Sequence, residues 1–241
     1  MADTLFISDL HLSEKRSGTL KLFFRFLAEQ AAKTEELYIL GDLFDVWIGD
    51  DNETPPIPDI LDAMKRISDS GTQLYFMGGN RDFLVGERFA EATGAKLLGD
   101  TRVLDLEGSL TLLTHGDLLC TDDVEYQNAR KLLRNPAIIG DFLTKSIPER
   151  LALAEEFREH SGEATSLKAA DIMDVNQQTV ERFMRETGVT RLIHGHTHRP
   201  ATHDFTLDGQ AVQRFVLPEW HDDRGGFLRA SADGLVLENF S

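Results

Sequence analysis

Short apolar runs recur along the chain, and five of them end in a polar cluster. Leu5-Phe6-Ile7 runs into Asp9-Leu10-His11, and Leu37-Tyr38-Ile39-Leu40 runs into Gly41-Asp42. Leu74-Tyr75-Phe76-Met77 precedes Gly79-Asn80-Arg81-Asp82, and Leu110-Thr111-Leu112-Leu113-Thr114 precedes His115-Gly116-Asp117. The fifth ends in Ile193-His194-Gly195-His196-Thr197-His198-Arg199-Pro200. Apolar runs of this length, bounded by turn residues, read as strands. Leu20, Phe23, Phe24, Leu27 and Ala31 recur at helical spacing after the first run. Ile60, Met64 and Ile67 mark a second helix, opened by Thr54-Pro55-Pro56-Ile57-Pro58. Strand-helix-strand-helix-strand order predicts a layered α/β core with parallel pairing in this half.

The second half changes pattern. Thr101–Leu106 and Leu110–Thr114 flank Glu107-Gly108, and Asp208-Gly209 and Asp233-Gly234 separate further short apolar runs. These dipeptides predict hairpins. Two packed mixed β-sheets flanked by helices accommodate both halves. The interval from Tyr126 to Ala170 is helix-rich and has no strand pattern. Seven basic and six acidic residues give it a net +1, so the remainder carries −17. Lying between two strands that end in polar clusters, it is expected to be a helical cap over the site within one domain spanning 1–241. The alternative is that its helices pack on the sheet as another layer.

Composition narrows the partners. With 41% apolar residues the chain can bury a full core. A formal charge of −16 argues against non-specific nucleic-acid binding and against electrostatic attachment to an anionic bilayer. A lone Cys120 excludes an internal disulfide and fits a reducing compartment, read most simply as a small buried residue. Met1-Ala2-Asp3 leads directly into a strand without a signal core, and no run of roughly 18 apolar residues occurs. The expectation is a soluble cytoplasmic protein.

The polar clusters carry the chemistry, because open α/β sheets build sites at the carboxyl ends of their strands. Asp9 and His11 lie two residues apart, which in extended chain aims both at one point. His196 and His198 repeat that spacing. Asp42 offers a carboxylate able to bridge two dications, Asn80 a neutral oxygen and His115 a nitrogen. Nitrogen and oxygen donors without thiolate suit Mn(II), Fe(II), Zn(II) or Co(II) better than Ca(II). Two ions about 3.5–4 Å apart ionise water and clamp the oxygens of an in-line phosphoryl displacement. The candidate catalytic and metal-ligating residues are therefore Asp9, His11, Asp42, Asn80, His115, His196 and His198. His194, inside the strand before Gly195, is expected to be packed or to support a ligand. His160, His203 and His221 carry no motif.

The order Asp-x-His, Gly-Asp, Gly-Asn-Arg-Asp, His-Gly, Gly-His-x-His, from Asp9 to His198, resembles the calcineurin-like metallophosphoesterase superfamily. That resemblance implies one ion held by Asp9, His11, Asp42 and His198, and another by Asp42, Asn80, His115 and His196. Longer stretches resemble one branch, the UDP-2,3-diacylglucosamine diphosphatases of lipid A synthesis. They are residues 41–51, 79–84, 115–123, Ile172-Met173-Asp174-Val175-Asn176 and 193–200. The branch implies pyrophosphate cleavage to UMP and 2,3-diacylglucosamine 1-phosphate, with two Mn(II) and hydroxide attack on the uridine-side phosphorus. Position by position it implies substrate contacts from Asn80, Arg81, Asp123, Ser161, Thr165, Lys168 and His196, with Tyr126 a further candidate. Where many superfamily members place a leaving-group histidine, this chain has Arg81, a planar fork for phosphate oxygens.

Apolar runs such as Ile138-Ile139 and Phe142-Leu143 in the expected cap point to transient peripheral contact with the cytoplasmic face of the inner membrane by shallow insertion, and no obligate protein partner is evident. Departures occur at Gly79, often His in the branch, at Thr165, often Asn, and at Pro218-Glu219, which replaces a Gly-containing pair before Trp220. None is a metal ligand. Competing readings are another dinuclear phosphoesterase, such as a nucleotide diphosphatase or cyclic nucleotide phosphodiesterase, and a non-catalytic scaffold of the same fold.

Overall fold

A computed structural model describes residues 3–166 and 174–241, and side chains in that range other than 159–166. The first strands and helices alternate as the apolar pattern requires: β1 (Thr4–Ile7), α1 (Ser17–Glu29), β2 (Glu36–Leu40), α2 (Ile57–Asp69) and β3 (Gln73–Met77). A short helix α3 (Glu87–Thr93) and strand β4 (Lys96–Leu98) follow, too brief for a periodic signal. β1 to β4 pair in parallel. The hairpin β10 (Gly225–Ser231) and β11 (Gly234–Phe240) extends this sheet antiparallel beyond β1, giving six strands.

The second sheet holds β5 (Thr101–Leu106), β6 (Ser109–Thr114), β7 (Arg191–His194), β8 (Ala201–Leu207) and β9 (Gln210–Val216), in the order β5-β6-β7-β9-β8. It is mixed, with β6, β7 and β9 parallel and hairpins at both edges. The β5–β6 turn has positive φ at Glu107 and Gly108, and the β8–β9 turn at Asp208 and Gly209. That is the type I′ signature, whose twist matches the strands it joins.

Three apolar clusters bind the layers. Phe6, Tyr38, Leu40 and Met77 of the first sheet meet Leu113, Ile193 and Phe215 of the second. On the outer face of the first sheet, Leu5, Ile7, Leu37 and Ile39 pack against Phe23 and Phe26 of α1 and Ile60 and Met64 of α2. Leu112, Leu192 and Val212 of the second sheet pack against Val180 and Met184 of α7 (Gln177–Thr187). Each strand alternates between the two faces, so one register error would expose both cores.

Between β6 and β7 lie α4 (Val124–Leu133), α5 (Pro136–Leu143) and α6 (Ile147–Ser166). α4 and α5 bury no residue, and Val124, Leu132, Ile138, Leu143, Leu151 and Phe157 are exposed. No described helix is long and apolar enough to cross a membrane.

Candidate metal centre

The parallel strands β1, β2, β3, β6 and β7 all deliver their polar clusters to one edge of the two sheets. Five of the seven candidate ligands, Asp9, His11, Asp42, His196 and His198, have positive φ between 51° and 68°. The only other described non-glycine residues with positive φ are the hairpin residues Glu107 and Asp208. Left-handed backbone costs an L-residue on the order of 1–3 kcal/mol and persists only where the surroundings over-determine it. Here they do. Asp9 N–H donates to Gly41 C=O, Leu10 and His11 N–H both donate to Asp42 C=O, and Gly195 N–H donates to His115 C=O. Gly195 admits no side chain, because a Cβ there would collide with Ser8 and Asp9.

The seven side chains meet. His198 Nε2 lies 3.4 Å from Asp9 Oδ1, and His11 Nδ1 lies 3.9 Å from Asp42 Oδ2. His115 Nε2 is 3.7 Å from Asp42 Oδ1. Asn80 Oδ1 sits 3.0 Å from both His115 Nε2 and His196 Nδ1. Donor atoms of Asp9, His11 and His198 lie within 4.8 Å of one another, as do those of Asp9, Asp42 and His115. His115 Nδ1 lies 2.8 Å from Leu40 C=O; donating there leaves Nε2 as a lone pair for the centre.

The electrostatics fit a divalent cation. Asp9 Oδ1 and His11 Nδ1 are buried with no hydrogen-bond partner among the described residues, an expensive arrangement unless something else satisfies them. Burial, then the neighbouring Asp9 charge, pushes the Asp42 carboxyl up to about 6 despite the opposing pull of His115. Burial also holds His11 and His196 down at about 4, so their rings are neutral and able to ligate. Burial disfavours protonation of His115, but Asp42, Asp9 and Asp117 outweigh it and raise its pKa. The chemistry of this donor set, and not cavity size, locates the site. A cleft of about 600 Å³ lies elsewhere, lined by Leu110, Thr190, Arg191 and Gln210 near the opposite ends of the strands.

Several buttresses hold the ligand loops. Asp82, fully buried, accepts N–H bonds from Gly79 and Asp42 on Oδ1 and from Leu43 and Phe44 on Oδ2. One carboxylate thus ties the loop after β2 to the loop after β3. Asp117 accepts from Tyr126 Oη at 2.8 Å and Arg130 Nε at 2.7 Å, anchoring α4 beside His115. Arg150 of α6, nearly fully buried, donates to Ile48 C=O and pairs bidentately with Asp51. His194 is buried as expected, held down at about 3 by burial and the Arg214 charge, with Nε2 3.1 Å from Arg214 Nη1.

Among the residues expected to meet substrate, Asn80 and His196 lie at the centre itself. The Tyr126 ring centroid is 5.8 Å from that of His196. Arg81 donates its backbone N–H to Asp42 Oδ1, while its half-buried guanidinium makes no hydrogen bond to a described residue. Asp123 caps α4 by accepting from Tyr126 N–H, so at least one oxygen is committed to the fold. Ser161, Thr165 and Lys168 fall outside the described side chains. A Cβ at Gly79 would collide with Asp42 Oδ1 and the Asp42 backbone nitrogen, so the glycine of the Gly-Asn-Arg-Asp motif is what lets the loop after β3 lie against Asp42. The sequence assigns no role to Asp82, Asp117, Arg150 or Glu219, although Glu219 lies in a pair that departs from the branch. Only the position of Asp82 and Asp117 inside polar clusters hinted at them.

Residues 3–200 match the calcineurin-like phosphoesterase family. A UDP-2,3-diacylglucosamine hydrolase of Chromohalobacter salexigens is 49% identical, over 95% of this chain and 94% of the relative. The enzyme of that name from Cellvibrio japonicus is 45% identical over 99% of both chains. That of Aromatoleum aromaticum is 49% identical over 91% and 89%. The chain belongs to the calcineurin-like phosphoesterase family, and it is a hydrolase whose Asp and His clusters can bind a divalent metal.

Proposed function

We propose that the chain cleaves the pyrophosphate bond of UDP-2,3-diacylglucosamine, releasing UMP and 2,3-diacylglucosamine 1-phosphate. The observation that carries this reading is the convergence of all seven ligand side chains, in a chain 45–49% identical to hydrolases named for that substrate. Asp9, His11, Asp42 and His198 would hold one Mn(II), and Asp42, Asn80, His115 and His196 the other. When bound, such a pair supplies Lewis acidity and activates water at neutral pH.

The chain's own groups supply the rest. The Arg81 guanidinium makes no hydrogen bond to a described residue, and its charge lies within influence of His11 and Asp42. It offers a fork to the pyrophosphate oxygens and favours the charge that develops on them. A departing phosphate monoester needs little protonation, which suits Arg in place of a protonating His. Tyr126, Asp123, Ser161, Thr165 and Lys168 would position the glucosamine phosphate and amide groups.

α4, α5 and α6 form the cap in this reading. The alternative, a packing layer on the sheet, is disfavoured because α4 and α5 bury no residue. Arg130–Asp117, Arg150–Asp51 and Arg158–Asp45 tie the helices to the ligand-bearing loops. The exposed apolar side chains on the same helices suit acyl chains and shallow contact with the cytoplasmic face of the inner membrane.

The test is mass spectrometry of the products formed from UDP-2,3-diacylglucosamine in isotopically labelled water. Label in UMP supports attack at the uridine-side phosphorus. Label in the lipid phosphate reverses the orientation, and no cleavage removes the substrate assignment.

A further inference from the structure

Pro218-Glu219 lies in the link between β9 and β10, and both sides of it are pinned to ligand-bearing strands. Leu217 N–H donates to His194 C=O at 2.7 Å, and Trp220 N–H donates to Asp9 C=O at 3.1 Å. Trp220 is fully buried, and its indole N–H donates to Gly226 C=O. Arg16 bonds both Leu10 C=O and Trp220 C=O, tying the link to the loop after β1 a second time. The backbone of Glu219 is thus fixed relative to Asp9 with little freedom.

From this position the Glu219 carboxylate reaches His198. Oε2 lies 3.1 Å from His198 Nδ1, while the opposite ring nitrogen, Nε2, faces Asp9 Oδ1 at 3.4 Å. His221 Nε2, on a partly exposed side chain, lies 3.7 Å from the same carboxylate oxygen. His198 needs such a partner. Its side chain is 37% exposed, the least enclosed of the histidines at the centre, and no described backbone carbonyl holds it as Leu40 holds His115.

We infer that Glu219 is a positioning residue for the metal centre, holding the His198 ring with Nδ1–H on the carboxylate and Nε2 directed at the ion. A carboxylate on the far nitrogen of a ligating imidazole fixes its tautomer and raises its basicity. This inference rests on the proposed metal assignment of His198. It gives a role to the pair at which this sequence departs from the branch it resembles.

The test is Mn(II) binding to the metal-free, full-length chain, read from the electron paramagnetic resonance signal of free Mn(II). Wild type, Glu219→Gln and Glu219→Ala are compared, each also in a His198→Ala background. Loss of such a partner typically costs 10–100-fold in metal affinity. Glu219→Ala is therefore expected to weaken one class of site by about that factor. Glu219→Gln, which still accepts the Nδ1–H but carries no charge, falls between. In the His198→Ala background neither change adds a further loss, because Glu219 acts through that ring. Unchanged affinity in Glu219→Ala overturns the inference. So does an equal loss in both backgrounds, which would make Glu219 a ligand in its own right. A wild-type chain that binds no Mn(II) overturns the metal assignment as well, whereas tight wild-type binding with unaffected variants overturns only the role of Glu219. Tryptophan fluorescence, read in a Trp47→Phe background so that it reports Trp220, and thermal unfolding of each metal-free variant verify that the pinned segment is intact.

Discussion

Asp82→Asn separates ligand positioning from stability. The substitution is nearly isosteric and removes one charge. In the wild type both oxygens accept, each from two backbone N–H groups at 2.7–3.3 Å. An amide keeps one accepting oxygen and turns an NH₂ toward the other two donors. Leaving two buried donors unsatisfied costs about 2–6 kcal/mol. Against that stands the cost of burying the charge. Burial, then the Asp42 charge, raises the Asp82 carboxyl to about 6 from its ordinary 3.8, worth about 3 kcal/mol at neutral pH. The two effects largely offset, so the metal-free variant is expected within about 3 kcal/mol of wild type at pH 7.

The sign of the pH dependence follows from the same displacement. A carboxyl whose folded pKa is raised contributes stability that is present below 3.8 and lost as pH rises through about 6. Asn has no such dependence. The stability difference should therefore swing by up to about 3 kcal/mol in favour of Asp82→Asn between pH 4 and pH 7, measured by urea unfolding of metal-free protein. Turnover should fall much further than stability, by at least about tenfold, because Asp42 and Asn80 both hang from this carboxylate through the N–H groups of Asp42 and Gly79. A misplacement that raises the barrier by only about 1.4 kcal/mol already costs tenfold. Activity within twofold of wild type, or a stability difference flat from pH 4 to 7, would refute the argument.

Asp42→Ala should abolish turnover, since in the proposed arrangement two metal positions share its carboxylate; more than about a tenth of wild-type activity in excess Mn(II) counts against a bridging role. Mn(II) affinity should rise with pH above neutrality. Burial opposes protonation of His198, but Asp9 and Glu219 raise its pKa to about 10, so binding must displace a proton. Calorimetry in buffers of different ionisation enthalpy should detect that release, and proton-neutral binding at pH 7 would contradict it. Arg150→Met removes the bidentate contact with Asp51, so turnover of the acylated substrate should fall while hydrolysis of a small phosphodiester holds; equal losses would mean that α6 supports the core and not the substrate. Shortening the acyl chains should lower kcat/KM steeply, at about 0.8 kcal/mol per buried CH₂, and Ile139→Asp with Phe142→Asp should flatten that dependence; equal turnover of a deacylated substrate would remove the lipid role of the cap.

What was legible in the sequence was what repeats locally. A strand that ends in Asp-x-His or Gly-His-x-His announces both its apolar alternation and the point where alternation stops, and the five ligand-bearing runs were readable on those terms. The hairpin dipeptides were readable for the same reason, since positive φ at Glu107-Gly108 and Asp208-Gly209 is a property of two residues. α3 and β4, at seven and three residues, are shorter than any period can report. The groups that hold the ligands in place were hidden for a different reason: their partners are distant in sequence. Asp82 acts on residues some 40 positions away, Arg150 on Asp51 some 100 away, and Glu219 reaches His198 only because Trp220 is pinned to Asp9 across more than 200 residues. No spacing rule encodes such contacts. They follow from the sheet order, in which β10 lies beside β1 and brings the link between β9 and β10 back over Asp9. The strained backbone at Asp9, His11, Asp42, His196 and His198 depends on these supports. Removing any one of them should therefore loosen metal binding before it unfolds the chain.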